Sequence, residues 1–318
     1  MLKLKYLLYV AVICSLLACD QTAKPEKTKL LAANGLFSAS LSENFALLGT
    51  MEGYAELWKI KGIPSLIHKW KHTDENNGII GTDISVSEEF AITAEKNSIA
   101  WWKVSDGTLL SVWRLPGINS INISPDGQFA LIGLEDKAIY LALAYGKTLY
   151  AFSHVDQVLT TALSNTGNYA LTGSDDQTAK LWDLSTGKLK HSWQHRNKLS
   201  TVALSHDDKY ALTNAALSQT RIWKISNGKL HKEIGSKLIT LSSAEFSNNN
   251  KFLLAGHTSQ RIELWKVKSG KLIKFWRPKK EDDWYPTAAT ILSLRFVANN
   301  KKFYSIASNG FLQKWRNK

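Results

Sequence analysis

The sequence predicts an all-β chain folded as a seven-bladed β-propeller, a ring of four-stranded antiparallel blades. Two observations support this prediction. Aromatic residues recur at intervals of about 40–45 positions in two series that stay in step, and each repeat contains four short runs of strand-forming residues separated by turn residues. A four-stranded sheet with one aromatic-rich face cannot bury that face alone, whereas seven sheets stacked around an axis can.

The two aromatic series define the seven repeats. The first series consists of Phe45, Phe90, Phe129, Tyr169, Tyr210, Phe252 and Phe303. The second consists of Trp58, Trp102, Leu141, Trp182, Trp223, Trp265 and Trp315. The interval between the two members of a repeat is 12 or 13 residues. The variation in repeat length therefore lies outside this interval, in the loops.

The fourth repeat shows the strand pattern most clearly. Strands are predicted over residues 160–163, 169–172, 179–184 and 188–193. The stretches between them are rich in Gly, Asn, Asp, Ser and Thr, the residues that turns prefer. Each repeat is therefore expected to form one blade.

The same repeat contains Leu181-Trp182-Asp183 within its third predicted strand. At this place it resembles the WD-repeat family, which has its signature dipeptide there. In the family, a buried hydrogen-bonded tetrad of His, Ser or Thr, Asp and Trp joins the parts of a blade. The matching residues are His154, Thr172, Asp176 and Trp182. The resemblance spans residues 30–318 and implies the architecture, but propellers carry many unrelated activities.

The other repeats keep less of this tetrad. His195 and Thr213 retain part of it in the fifth repeat. The position of the Asp is occupied by Leu217, Ser259 and Asn309 in the fifth, sixth and seventh repeats.

The seventh repeat lacks an outer strand, because it ends three residues after Trp315. An apolar segment at residues 29–33 precedes the first repeat without a sheet of its own. In WD-repeat proteins the N-terminal strand completes the last blade. The resemblance therefore implies that this segment closes the ring.

The first residues are typical of an export signal. Lys3 and Lys5 precede an apolar run, residues 6–18, that is too short to span a bilayer comfortably. Leu16-Leu17-Ala18-Cys19 resembles the lipobox of bacterial lipoproteins, in which the Cys is lipidated and becomes the first mature residue. The sequence thus predicts a signal peptide at residues 1–18 and lipidation of Cys19. The alternative is an uncleaved signal anchor.

The positions of the cysteines and the polar segment that follows Cys19 are both consistent with export. Cys14 and Cys19 are the only two cysteines, so the mature chain would keep no free thiol in an oxidising compartment. Asp20 resembles the signal that retains enterobacterial lipoproteins on the inner membrane. Residues 19–29 are predicted to form the lipidated Cys and a polar tether, and residues 30–318 the propeller. The expected location is the bacterial cell envelope, with the inner membrane facing the periplasm favoured over the outer membrane.

The sequence contains no recognisable catalytic, metal or cofactor motif. His191 and His195 are four residues apart, but on a strand this spacing covers about 13 Å, too far for one metal ion. No nucleophile elbow, zinc-binding helix or phosphate-binding loop occurs. The prediction is a protein without enzymatic activity, cofactor or metal.

The tryptophans indicate a candidate binding loop. Six of the twelve lie in the second aromatic series, and Trp101 neighbours one of these. Four more are expected to pack between blades, namely Trp70, Trp113, Trp193 and Trp276. Trp284 belongs to no series. With Tyr285, Lys279 and Lys280 it forms a charged loop, and such exposed aromatics are typical of interaction hot spots. Alternatively, Trp284 folds back into the central channel.

A second loop and the charge of the last two blades also bear on the partners of the protein. The polar loop at residues 71–78 is expected on the same face as the Trp284 loop. The chain has a net charge of +13, and residues 260–318 alone hold 14 Lys and Arg against 4 Asp and Glu. These last two blades are either drawn to anionic membrane lipids or are a solvated face. Export argues against a nucleic-acid partner.

Together these features predict a membrane-tethered, non-enzymatic scaffold, a monomeric ring that presents one face to an unidentified envelope protein or peptide. One rival is an envelope hydrolase or sugar-binding enzyme with its site in the channel, which clustered carboxylates or His at the channel mouth would favour. Another is a cytoplasmic adapter anchored by an uncleaved N-terminus, which retention of residues 1–18 would favour.

Overall fold

The chain forms a closed ring of seven antiparallel sheets. A computed structural model describes residues 23–72, 77–235, 238–279 and 289–317. These ranges contain 28 β-strands, grouped in seven four-stranded sheets. The predicted all-β, seven-bladed propeller is therefore confirmed.

The strands follow one another through the blades in chain order. They are β1 (Lys27–Leu30), β2 (Leu36–Leu41), β3 (Phe45–Thr50), β4 (Ala55–Lys59), β5 (Ser65–Trp70), β6 (Gly81–Ile84), β7 (Phe90–Glu95), β8 (Ser98–Lys103), β9 (Leu109–Arg114), β10 (Ser120–Ile123), β11 (Phe129–Gly133), β12 (Lys137–Ala142), β13 (Lys147–Ser153), β14 (Val158–Leu163), β15 (Tyr169–Ser174), β16 (Thr178–Asp183), β17 (Lys188–Gln194), β18 (Leu199–Leu204), β19 (Tyr210–Ala215), β20 (Thr220–Lys224), β21 (Leu230–Ile234), β22 (Leu241–Phe246), β23 (Phe252–His257), β24 (Ile262–Lys266), β25 (Lys271–Trp276), β26 (Ile291–Val297), β27 (Lys302–Ala307) and β28 (Phe311–Arg316). Blades one to six take four successive strands each, from β2 to β25.

Blade seven joins the two ends of the described chain. Its strand order is β26, β27, β28 and then β1. Strand β1 pairs antiparallel with β28, so that Lys27 lies opposite Lys314 and Leu30 opposite Phe311. The N-terminal strand therefore closes the ring, as predicted.

The closing strand begins earlier than the predicted segment, residues 29–33. It spans Lys27–Leu30, and Glu26 extends the pairing by donating its N–H to the Lys314 carbonyl at 2.7 Å. All four strand residues are exposed, because β1 is an outer edge strand. Leu31 is buried in the cluster between blades seven and one. The last residues of the predicted polar tether thus belong to the sheet.

The connections define two faces of the ring. We call distal the face that carries the turns between second and third strands and the connections from an outer strand to the next blade, such as residues 154–157 and 195–198. We call proximal the face that carries the other turns, such as residues 42–44 and 60–64. Because β1 runs antiparallel to β28, the chain enters β1 from the proximal face.

Large aromatic rings fill the space between neighbouring blades. Trp70 of blade one stacks on Trp102 of blade two at 4.8 Å between ring centroids. Trp193 of blade four stacks on Trp223 of blade five at 5.1 Å. The same outer-strand position places Trp276 of blade six against blade seven. The expectation that these outer-strand tryptophans pack between blades is thus confirmed.

Candidate functional site

The distal ends of blades three and four are joined by a buried hydrogen-bonded network. His154 follows β13, and its Nδ1 lies 2.9 Å from Asp176 Oδ2 in the turn between β15 and β16. Its Nε2 lies 2.8 Å from the Thr172 hydroxyl. The same hydroxyl accepts the indole N–H of Trp182 at 3.0 Å. The structure therefore brings together the four residues of the predicted tetrad.

The network has one consistent arrangement of protons. The Asp176 carboxylate accepts a hydrogen bond from the Nδ1–H of His154, so Nε2 carries no proton and can accept a hydrogen bond from the Thr172 hydroxyl. Burial lowers the pKa of His154, although Asp176 partly opposes this. Burial alone would raise the pKa of Asp176, but hydrogen bonds from Thr178, Val155 and His154 outweigh it and hold that pKa at about 2. The pair is thus a neutral imidazole beside an ionised carboxylate.

A second network of this kind joins blades one and two. His72 is buried, and its Nε2 contacts the Thr93 hydroxyl. That hydroxyl also accepts the Trp102 indole N–H at 2.8 Å. Burial lowers the pKa of His72 to about 4, so the ring is neutral at physiological pH. The start of the predicted polar loop at residues 71–78 is therefore part of the core, and residues 73–76 lie outside the described ranges.

The sequence carried a signal for this second network. An aromatic residue stands two positions before the His in three repeats, as Trp70-Lys71-His72, Phe152-Ser153-His154 and Trp193-Gln194-His195. The aromatic ring packs between blades, and in extended chain the next residue but one faces the same way, even just past the end of the strand. The spacing therefore predicts a buried His at all three places.

Two blades without the hydroxyl use a carboxylate instead. Leu48 and Ala255 occupy the hydroxyl position in blades one and six. Directly opposite on the next strand stand Glu56 and Glu263, which accept the indole N–H of Trp58 at 3.2 Å and of Trp265 at 3.0 Å. The indole thus keeps a partner although the family pattern is lost, since a buried N–H without one is costly.

The fifth and seventh repeats keep part of the network. Trp223 donates to the Thr213 hydroxyl at 2.8 Å, but His195 Nε2 has no hydrogen-bond partner in the described part of the chain. Leu217, which replaces the Asp, is exposed and has a φ of 54°. In blade seven Trp315 donates to Ser305 at 2.8 Å.

The described part of the candidate binding loop ends at Lys279. This residue lies on the distal face, where its backbone N–H donates to Gln313 at 2.9 Å and its carbonyl accepts from Asn309 at 3.2 Å. Its Nζ lies 4.8 Å from the Phe311 ring centroid. The other predicted site residues, namely Lys280, Trp284, Tyr285, Cys19 and Asp20, lie outside the described residues.

The central channel contains a cluster of ionisable side chains that the sequence did not reveal. The channel encloses about 330 Å³ and is lined mainly by the innermost strands. Asp83, His206, Glu245 and Arg295 line it. Arg295 Nη1 lies 3.2 Å from Glu245 Oε1, and His206 Nε2 lies 3.0 Å from the Phe246 carbonyl. Burial opposes protonation of His206, but Glu245 outweighs it and raises the pKa. Glu245 thus interacts with both Arg295 and His206.

Asp83 is a member of this cluster whose charged form is disfavoured by burial. Its carboxylate accepts hydrogen bonds from the N–H of Ile123 at 2.9 Å, from Asn122 at 3.2 Å and from Ile84 at 3.0 Å. Burial nevertheless raises the pKa of Asp83 to about 6, because it outweighs the opposing effects of these donors and of Arg295. Ionised Asp83 therefore destabilises the folded state.

Replacing Asp83 with Asn is expected to change how stability depends on pH. In the parent the penalty is fully present above about pH 6, decreases as the pH falls through that value, and is gone below about pH 4. The free energy of unfolding of D83N, measured with urea, should therefore gain on the parent by roughly 2 kcal/mol between about pH 4 and pH 6.5. All histidines are common to both proteins, so their titration cancels. A difference independent of pH would contradict the assignment.

Neither a metal-binding cluster nor a membrane-spanning helix occurs in the described ranges. No group of three or more His, Cys, Asp or Glu residues that could hold a metal ion occurs in residues 23–72, 77–235, 238–279 and 289–317. The same ranges contain no helix long and apolar enough to cross a membrane.

Comparison with known families agrees with this geometry. The family model described as WD domain, G-beta repeat, matches residues 146–183. This segment comprises the outer strand of blade three and the first three strands of blade four, and it contains all four tetrad residues. The match, together with the seven-bladed ring, supports a relationship of this chain to the WD-repeat propeller family. Such propellers are typically non-enzymatic scaffolds that bind proteins or peptides. No curated protein matches the chain.

Proposed function

We propose that the protein is a membrane-tethered, non-enzymatic WD-repeat scaffold of the bacterial cell envelope. In this proposal Cys19 carries the lipid, and Asp20 retains the protein on the inner membrane, facing the periplasm. The distal face, with Lys279, Lys280, Trp284 and Tyr285, binds another envelope protein or a peptide segment of one.

The observation that carries the proposal is the direction in which the chain enters the ring. Glu26 precedes β1 on the proximal face, where its carboxylate contacts Arg316 and lies 2.9 Å from Lys302 Nζ. Cys19 stands eight residues before Lys27, which is about 28 Å of fully extended chain. A lipid on Cys19 would therefore hold the proximal face towards the membrane. The distal face and its loops would point away from it, free to meet a partner.

The buried networks favour the distal face as the binding surface. His154 and His72 lie in outer-to-inner connections, and each is fixed to a hydroxyl of the next blade. These contacts hold the bases of the distal loops in place, because a displaced loop would leave a buried imidazole without its partner. Loops positioned by a rigid scaffold are the usual place of binding residues.

The experiment that tests the proposal is crosslinking in living cells. A photoreactive phenylalanine analogue in place of Trp284 should give a discrete adduct with an envelope protein. The matched control places the same analogue at Tyr145, which is 86% exposed on a proximal turn. Adducts of equal yield from both positions, or from neither, would contradict a distal binding face.

The tether is tested on the same cells by the intact mass of the membrane-extracted protein. A chain that begins at Cys19 with added acyl mass, lost in Cys19→Ala, supports the envelope scaffold. A chain that begins at Met1 contradicts it and supports the cytoplasmic adapter. The two measurements are independent, so a failed crosslink and a failed lipidation can be told apart.

One observation favours the rival function, an envelope hydrolase or sugar-binding enzyme. Asp83, Glu245 and His206 lie in the channel, and the raised pKa of Asp83 is of the kind found in catalytic acids. Against this, Glu245 is paired with Arg295, and the Asp83 carboxylate accepts three hydrogen bonds from the protein. The scaffold therefore remains the better-supported function.

A further inference from the structure

A groove opens on the proximal face between blades seven and one, beside the point where the chain enters β1. It encloses about 290 Å³. Lys27 and Lys29 of β1 and Lys314 of β28 line one side. Ile60 and Ile63, from the turn after β4, line the other. The groove thus combines a basic wall with an apolar one.

The basic wall carries an unfavourable arrangement of charges. Lys27 lies directly opposite Lys314 in the antiparallel register, and Lys29 is on the same side of β1 two residues later. Like charges in directly opposed positions destabilise a sheet. No carboxylate among the described residues forms an ion pair with these three lysines; the nearby Glu26 pairs with Lys302 and Arg316 instead. An anion in the groove would relieve this repulsion.

Blade four shows that the arrangement is not imposed by the fold. Its outer strand β17 also has two lysines in alternate positions, Lys188 and Lys190. The position equivalent to Lys314, one residue before the Trp of the second aromatic series, is Leu181 in blade four, and it lies opposite His191. Of these two blades, only blade seven therefore places two lysines directly opposite each other.

The apolar wall ends in a side chain that the fold does not bury. Ile63 is 90% exposed at the tip of the turn formed by Lys61, Gly62, Ile63 and Pro64. Gly62 has a φ of 90°, a conformation that glycine adopts most readily, and it gives the turn its sharp tip. An isoleucine that is exposed at the tip of a turn, with lysines nearby, can insert at the boundary between lipid headgroups and acyl chains.

We propose that this groove is a docking site for an anionic phospholipid of the membrane. Lys27, Lys29 and Lys314 would bind the headgroup phosphate, and Ile63 would insert among the upper acyl carbons. The occupant follows from position as well as chemistry: the groove lies on the proximal face, within about 28 Å of chain from Cys19. The inference rests on the proposed function for the presence of a membrane on this side, and it adds a fixed contact that orients the ring.

Vesicle binding of the chain without its lipid tests the groove separately from Cys19. Residues 20–318 contain every strand of the closed ring. This protein should cosediment with vesicles of phosphatidylethanolamine and phosphatidylglycerol but not with phosphatidylcholine vesicles. The double variant Lys27→Gln, Lys314→Gln should bind about tenfold more weakly, and Ile63→Ser about threefold more weakly.

Matched controls separate a specific groove from general charge. Lys188→Gln with Lys190→Gln removes the same charge from the opposite side of the ring, and Val155→Ser removes a side chain that is also 90% exposed but lies in a distal connection. Both should bind anionic vesicles within about twofold of the parent. The K27Q/K314Q variant should unfold at no lower urea concentration than the parent, since it loses a repulsion.

Three outcomes would overturn the proposal. The first is equal loss of binding in the blade-four control, which would indicate a nonspecific basic surface. The second is equal binding to neutral vesicles. The third is release by millimolar glycerol phosphate, which would assign the groove to a soluble phosphate compound. Loss of vesicle binding with intact lipidation of Cys19 would overturn the groove alone and leave the tether in place.

Discussion

Trp276→Ala is expected to destabilise the ring by about 3–5 kcal/mol, because it truncates one of the largest fully buried side chains of the propeller. Trp276 lies at the end of β25. Its ring lies 4.8 Å from that of Phe303 and 6.4 Å from that of Trp315, both in blade seven. Truncation would leave a cavity between blade six and the blade that closes the ring. Urea unfolding followed by circular dichroism measures the loss.

Trp113→Ala is the matched comparison for this prediction. Trp113 is also an outer-strand tryptophan, at the end of β9, but it is only half-buried against the cluster between blades two and three. Its truncation should cost clearly less, about 1–2 kcal/mol. Equal losses in the two variants would mean that packing against blade seven is not what makes Trp276 important.

Thr172→Val should destabilise the protein by about 2–4 kcal/mol, because the substitution keeps the shape of the side chain but removes its hydroxyl. That hydroxyl accepts the Trp182 indole N–H and faces His154 Nε2. Both groups are buried, and both would lose a partner. Chemical denaturation of the variant and the parent at pH 7 measures the difference.

Thr213→Val provides the control for this second prediction. Thr213 holds the equivalent position in blade five and accepts from Trp223 in the same way, but His195 Nε2 makes no hydrogen bond there. Its loss should be about 1–2 kcal/mol, from the indole alone. The difference between the two variants measures what the imidazole contributes. No difference would show that the His154 contact adds nothing to stability.

The repeat pattern was sufficient to predict the blades because each blade is a local unit. The first strand of blade four was expected at residues 160–163 and spans Val158–Leu163. The register shifts between Val158 and Thr160, and such an irregularity leaves no trace in an alternating pattern. The closing strand was displaced for another reason: Lys27, Thr28 and Lys29 read as a polar tether, and only pairing with β28 makes them a strand.

The channel cluster could not be predicted from the sequence. Asp83, Glu245 and Arg295 belong to blades two, six and seven, and more than 150 residues separate the first from the second. Each lies alone on its innermost strand with no motif around it. Only closure of the ring brings them to one channel. His72, in contrast, had a local signal in its spacing from Trp70, which the incomplete tetrad concealed.

The antiparallel pairing of β1 with β28 also determines how the ring would bear a pull on its N-terminus. A force that pulled the N-terminus away from the proximal face would act parallel to β1, whereas the hydrogen bonds to β28 lie across the strands. All the pairs from Lys27–Lys314 to Leu30–Phe311 are then loaded in shear at the same moment, together with the bond from Glu26 to the Lys314 carbonyl. A pull at right angles to the strand would instead open these bonds one after another. The strand that closes the ring is thus oriented to resist a pull from the side on which a membrane anchor would lie.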